Sequence, residues 1–94
     1  MTITPIHVDG INKGTVMLYA LSTCIHCKKT KEFLNELGVA YDYLFVDQLS
    51  RAEMDEVIKE IEQYNPRTSF PTLVINGKKT IVGSRIDEIR EALR

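Results

Sequence analysis

Residues 15–37 read TVMLYALSTCIHCKKTKEFLNEL, and the reading of this stretch decides the fold. Residues 15–20 (TVMLYA) are a short run of β-forming and apolar residues, which predicts a buried strand. Leu21, Ser22 and Thr23 form a turn, with Ser22 and Thr23 available to cap the next element. Residues 25–37 predict a helix: Cys27, Phe33, Leu34 and Leu37 fall on one face, while Lys28, Lys29, Lys31, Glu32 and Glu36 fall mostly elsewhere. Gly38 supplies the stop.

The chain's 2 cysteines, Cys24 and Cys27, both lie in this stretch. A structural disulfide gains most by closing a long loop, and small secreted domains usually carry several. This pair closes almost none, so its spacing suits exchange better than stapling. Cys24 falls where strand gives way to helix. Unpaired N–H groups and the positive end of the helix dipole favour an anion there, and the thiolate is the attacking form of cysteine. Lys28, four residues on, shares that face and adds attraction. Cys27 lies one turn deeper, on the inward face. The asymmetry assigns Cys24 as nucleophile and Cys27 as the protected thiol that resolves the mixed disulfide. His26, as imidazolium, would stabilise the thiolate; the alternative is a solvated histidine that the helix start merely tolerates.

Outward from this unit, residues 41–46 (YDYLFV) predict a second strand. Ser50-Arg51-Ala52-Glu53 is a capping-box signature. The helix behind it carries Met54, Val57, Ile58 and Ile61 on one face, and it fades near Tyr64 before Asn65-Pro66 ends it. Residues 72–75 (TLVI) predict a third strand, and Asn76-Gly77 a two-residue hairpin into a fourth at residues 80–82. After Gly83, Ser84-Arg85-Ile86-Asp87 start a last helix with Ile86, Ile89 and Leu93 inward. The order β-α-β-α-β-β-α is an α/β fold. Its first two strands are parallel through a right-handed crossover, and the hairpin is antiparallel, so a four-stranded mixed sheet is expected. Residues 1–14 stand as an N-terminal extension to a domain of residues 15–94. Ile3, Ile6 and Val8 permit an extra edge strand, Pro5 argues against one, and a disordered tail is the equal alternative.

Phe70-Pro71-Thr72 is a second motif. A proline ahead of a buried strand can be cis or trans, and the residues alone leave both open. In the cis form the Phe70 main chain could offer its N–H and C=O to an incoming extended segment.

Composition bounds the partners. The 94 residues make a single domain the expectation, and 44% apolar with 27% charged residues is ordinary for a globular protein. A net charge of −1 gives no reason to expect nucleic acid or an anionic membrane. No apolar run approaches bilayer length, and residues 1–14 lack the layout of a secretory signal, so a cytoplasmic monomer is expected. Structural zinc takes four ligands; one cysteine pair and the lone His7 do not supply them, so no metal site is expected.

From Val16 to the C-terminal Arg94 the chain resembles the glutaredoxins, within the thioredoxin superfamily. Three motifs in order carry the resemblance: Cys24-Ile25-His26-Cys27 after the first strand, Phe70-Pro71-Thr72 before the third, and Ile81-Val82-Gly83-Ser84 before the last helix. It implies a thioredoxin-like fold, a dithiol–disulfide oxidoreductase, Cys24 attacking, Cys27 resolving and Pro71 in cis. Phe70, Pro71, Thr72, Gly83 and Ser84 are then expected to bind the substrate or thiol; His26 and Lys28, by their positions beside Cys24 and not by the resemblance, are the candidates to tune the nucleophile. The chain departs from the family pattern where Ile25-His26 replaces Pro-Tyr and where Leu21 replaces a lysine common in glutathione users. The glutathione-binding stretch is reduced to Gly83-Ser84-Arg85, for which Arg85, Lys28 or Arg67 could substitute. The pattern around Gly83 is also similar to redoxins served by a thioredoxin reductase. The implied partners are protein or small-molecule disulfides, with glutathione or such a reductase as electron source and no tightly bound cofactor. The alternatives are a carrier of glutathione or an iron–sulfur cluster, and a non-catalytic thioredoxin-fold adaptor.

Overall fold

The computed structural model describes residues 3–94, so Met1 and Thr2 of the expected N-terminal extension lie outside it. Along the chain run β1 (Ile6–Val8), β2 (Val16–Ala20), α1 (Ile25–Leu37), β3 (Tyr41–Phe45), a 3-10 turn (Val46–Gln48), α2 (Arg51–Glu62), β4 (Thr72–Ile75), β5 (Lys79–Val82) and α3 (Ile86–Ala92). The strands form one sheet in the order β1-β3-β2-β4-β5. Only β2 and β3 run parallel; the other neighbours are antiparallel.

Alternation along β2 explains the layering. Val16, Leu18 and Ala20 point to one face and pack with Cys27 and Leu34 of α1 and with Ile89 and Leu93 at the end of the chain. Tyr19 points to the other face and packs with Val57 and Ile61 of α2. Helices thus cover both faces, which is why β2 and β4 are apolar almost throughout rather than alternating.

The expected mixed sheet is present, with a fifth strand at its edge. β1 pairs with β3 through Ile6↔Tyr43 and Val8↔Tyr41. Pro5 does not block this, because it precedes the strand and its missing N–H costs no ladder bond. His7 Nδ1 lies 2.7 Å from Asp42 Oδ1 on β3, and that contact raises the His7 pKa. Further on, the Ile11 N–H donates to Gly38 O at 2.8 Å and the Ala40 N–H to Ile11 O at 2.9 Å. Gly10 passes so close to this junction that a Cβ would sit 2.5 Å from Gly38 O.

Local signals set most boundaries. α1 ends at Gly38, whose φ of 70° suits glycine. The capping box of α2 is formed: the Glu53 N–H donates to Ser50 Oγ and the Ser50 N–H to Glu53 Oε1. At the hairpin Asn76 and Gly77 take φ of 55° and 65°. Ile75 pairs with Lys79, however, so the connection has three residues rather than two and β5 begins one residue early. Val46, expected to end the second strand, instead opens the 3-10 turn.

Candidate active site

Strand order gathers distant segments at one edge of the sheet. β4 runs antiparallel to β2, with Thr72 opposite Tyr19, so the end of β2 lies beside the start of β4. β5 pairs with β4 through Val82 opposite Thr72, so its end arrives at the same place. The Gly83 N–H donates to Pro71 O at 2.9 Å. Ser84 Oγ lies 3.2 Å from His26 Nδ1. The cysteine turn, the Phe70-Pro71 segment and the Gly83-Ser84 segment therefore meet, and the Phe70–Pro71 peptide bond is cis.

Cys24 is itself the N-cap of α1, with φ −92° and ψ 120°, and its Sγ accepts the Cys27 N–H at 3.3 Å. Neither Ser22 nor Thr23 caps the helix: Cys24 is the residue immediately before the first helical turn, and the Ser22 hydroxyl is bound to Asp47 instead. The first turn of the helix thus directs an N–H at the Cys24 sulfur. Cys24 is half-buried and Cys27 is 1% exposed, and the two are unbridged thiols. Burial foremost, then the hydrogen bond with Cys24, pushes the Cys27 thiol up to about 12. The Leu21 N–H, 3.5 Å from Cys27 Sγ, works in the opposite direction.

Beside the cysteines opens a cavity of about 460 Å³. Leu21, Ile25 and Phe45 are its apolar walls, and Lys28 and Lys31 also line it. Lys28 was the expected cation; Lys31, which the helical spacing puts on a solvated face, lies 4.6 Å over the Tyr43 ring.

Three of the expected binding residues, Phe70, Gly83 and Ser84, are part-exposed, while Pro71 and Thr72 are buried. The Thr72 side chain is turned inward and has a structural part. It is fully buried; its hydroxyl donates to Ser69 O at 2.7 Å and accepts from Asn65 Nδ2 at 3.0 Å. The Phe70 N–H and C=O make no hydrogen bond among the described residues, which leaves them free for an incoming main chain.

From sequence, Tyr64, Asn65 and Arg67 either line the groove before Phe70 or form a plain loop, and neither alternative gives Asn65 an organising role. In the structure it is 6% exposed, and its Nδ2 reaches Ser69 O, Ser69 Oγ and Thr72 Oγ1 while its Oδ1 accepts the Arg67 N–H. This one amide shapes the segment that presents Phe70. An Asn-Pro pair signals a turn, and that signal could have singled it out. Asp47 was missed as well; its contacts with Ser22 become visible only in three dimensions. Among the described residues, no group of three or more His, Cys, Asp or Glu could hold a metal ion, and no helix is long and apolar enough to cross a membrane.

A family model described as glutaredoxin matches residues 16–80. Among solved structures, the chain is similar to the methanoredoxin of Methanosarcina acetivorans at 49% identity and a TM-score of 0.87, over 89% of this chain and 88% of that one. It is similar to a glutaredoxin from Methanosarcina mazei Go1 at 49% identity and a TM-score of 0.88, over 95% and 86%. Glutaredoxin-1 of Oryctolagus cuniculus is 31% identical over 74 residues, 78% of this chain and 69% of that protein. The cysteine pair, the cis-proline segment and the Gly83-Ser84 turn occupy one edge of a fold shared with these proteins, and the chain belongs to the glutaredoxin family of thiol–disulfide oxidoreductases.

Proposed function

We propose that Cys24 attacks a disulfide and that Cys27 resolves the intermediate. The carrying observation is the inequality of the two thiols. Cys24 caps the helix and accepts an N–H, whereas Cys27 is buried with its proton firmly held. The Cys24 thiolate attacks one sulfur of the substrate; a Cys24–substrate S–S bond forms, the substrate's own S–S bond breaks, and the first thiolate leaves to take a proton from water. Cys27 then gives up its proton and attacks Cys24 Sγ. The Cys24–Cys27 bond forms, the second substrate thiolate leaves, and two electrons have passed to the substrate. The free N–H and C=O of Phe70 suit an extended peptide as the substrate's main chain.

The reductant in this reading is glutathione. Leu21 removes a lysine that many glutathione users place there, but Lys28 and Lys31 line the same cavity as Cys24 and can meet a carboxylate. The thin Gly83-Ser84 turn favours the second reading, a thioredoxin-reductase-type partner. The test is to mix the oxidised protein with excess glutathione and, separately, with a thioredoxin reductase and its nicotinamide donor. Reduction by glutathione is expected; reduction by the reductase alone overturns it. The same reading places the protein in the cytoplasm as a monomer, where a free dithiol stays reduced; cell fractionation and solution mass are the checks.

A further inference from the structure

β2 and β3 are parallel neighbours, with Ala20 opposite Phe45. Two residues past the end of each, Ser22 and Asp47 meet. Asp47 Oδ1 accepts the Ser22 N–H at 2.9 Å, and Oδ2 accepts the Ser22 hydroxyl. One carboxylate thus holds both the main chain and the side chain of a single residue. These two donors keep the Asp47 carboxyl below the usual carboxylate range, so the clamp stays charged and formed at neutral pH.

What the clamp fixes is the turn that touches both thiols. Leu21, next to Ser22, directs its N–H at Cys27 Sγ at 3.5 Å, and its C=O accepts the Cys24 N–H at 3.3 Å. The Leu21 N–H is the contact that favours an anion on Cys27, against burial and Cys24. The charged groups around Cys27 are Lys28 and Lys31 of α1, lining the shared cavity, and Asp47 from the 3-10 turn. Asp47's own charge opposes a Cys27 thiolate, so any help it gives to that thiolate must come through geometry.

We propose that Asp47 is a positioning residue for the resolving step: by clamping Ser22 it holds the Leu21 N–H on Cys27 Sγ while that sulfur becomes a thiolate and attacks Cys24. In that step the Cys27 proton goes to solvent, the Cys24–Cys27 bond forms, and the Cys24–substrate bond breaks with release of the substrate thiolate. The proposal rests on Cys27 being the resolving thiol.

The experiment tracks both exchange steps in the full chain by rapid acid quench, alkylation and intact mass, with hydroxyethyl disulfide as oxidant. The Asp47→Ala variant should slow decay of the mixed disulfide by about tenfold, the scale of a lost hydrogen bond to an ionised group, while its formation at Cys24 changes less than twofold. Asp47→Asn keeps an oxygen for the Ser22 N–H and drops the opposing charge, so it should recover most of that loss. Ser22→Ala removes only the hydroxyl arm and should slow decay by about threefold, which supplies a milder probe should Asp47→Ala fold poorly. Equal slowing of both steps, equal behaviour of Asp47→Ala and Asp47→Asn, or no slowing in any variant overturns the proposal. Cys27→Ser is the control for the underlying reading. If it fails to accumulate the mixed disulfide, the resolving role of Cys27 falls; if it accumulates while Asp47 variants behave as wild type, only the positioning role falls.

Discussion

At the scale of the residue, Cys24 and Cys27 carry the same side chain and differ only by one turn of helix. That turn moves the second sulfur from a half-open helix cap to a site 1% exposed. The consequence reaches beyond catalysis into stability. Folding raises the Cys27 pKa from 9.0 to about 12, chiefly by burial. Below the lower value the thiol is neutral in both states and the contribution is whole. Between the two values only the unfolded chain ionises, so stability is lost as pH rises through that window. Tyr41, pushed up from 10.0 to about 12 by burial, adds in the same direction. Urea unfolding midpoints should therefore fall above pH 9, and Cys27→Ala should flatten part of that fall; an unchanged alkaline slope in the variant would refute the assignment. The inequality of the cysteines was legible from their spacing on a helix that starts at Cys24. The contacts that sharpen it were not, because His26 with Ser84 and Ser22 with Asp47 join residues 58 and 25 positions apart.

At the scale of the element, the segments with strong local instructions were legible. α1 came out with its expected bounds because its apolar stripe is bounded by a turn and by Gly38, and β4 because four consecutive apolar or β-branched residues stand between Pro71 and Asn76. The 3-10 turn was not legible, because Val46 continues the apolar run of the strand before it and gives no stop signal. β1 was legible as one of two alternatives: Ile6 and Val8 permit the strand, but Ile6 is 53% exposed, and it is the free edge of β3 that decides for it. The loop after α2 belongs to the same class, because Asn65 organises it from the inside. Asn65→Ala should cost about 1–3 kcal/mol by leaving buried partners unpaired, and it should raise KM for a peptide disulfide more than it lowers kcat. Asn65→Asp should cost at least as much, since a carboxylate faces the Ser69 carbonyl with no N–H to offer. Denaturant titration of both variants checks the order; a variant as stable as wild type would remove Asn65 from this role.

At the scale of the whole molecule, function depends on how the strands are ordered. Placing β2 at the centre, with β3 parallel on one side and β4 antiparallel on the other, brings three loops to a single edge. One carries the cysteines, one the Phe70-Pro71 segment and one Gly83-Ser84. Covering both faces with helices leaves that edge as the place where a buried sulfur can still be approached. The central claim is that chemistry at this edge starts at Cys24. Steady-state reduction of hydroxyethyl disulfide, driven by whichever reductant the oxidised protein accepts, tests it most directly when wild type is run beside Cys24→Ser. The account predicts turnover by the wild type and a rate at the protein-free background for Cys24→Ser; a Cys24→Ser variant as fast as the wild type would contradict it.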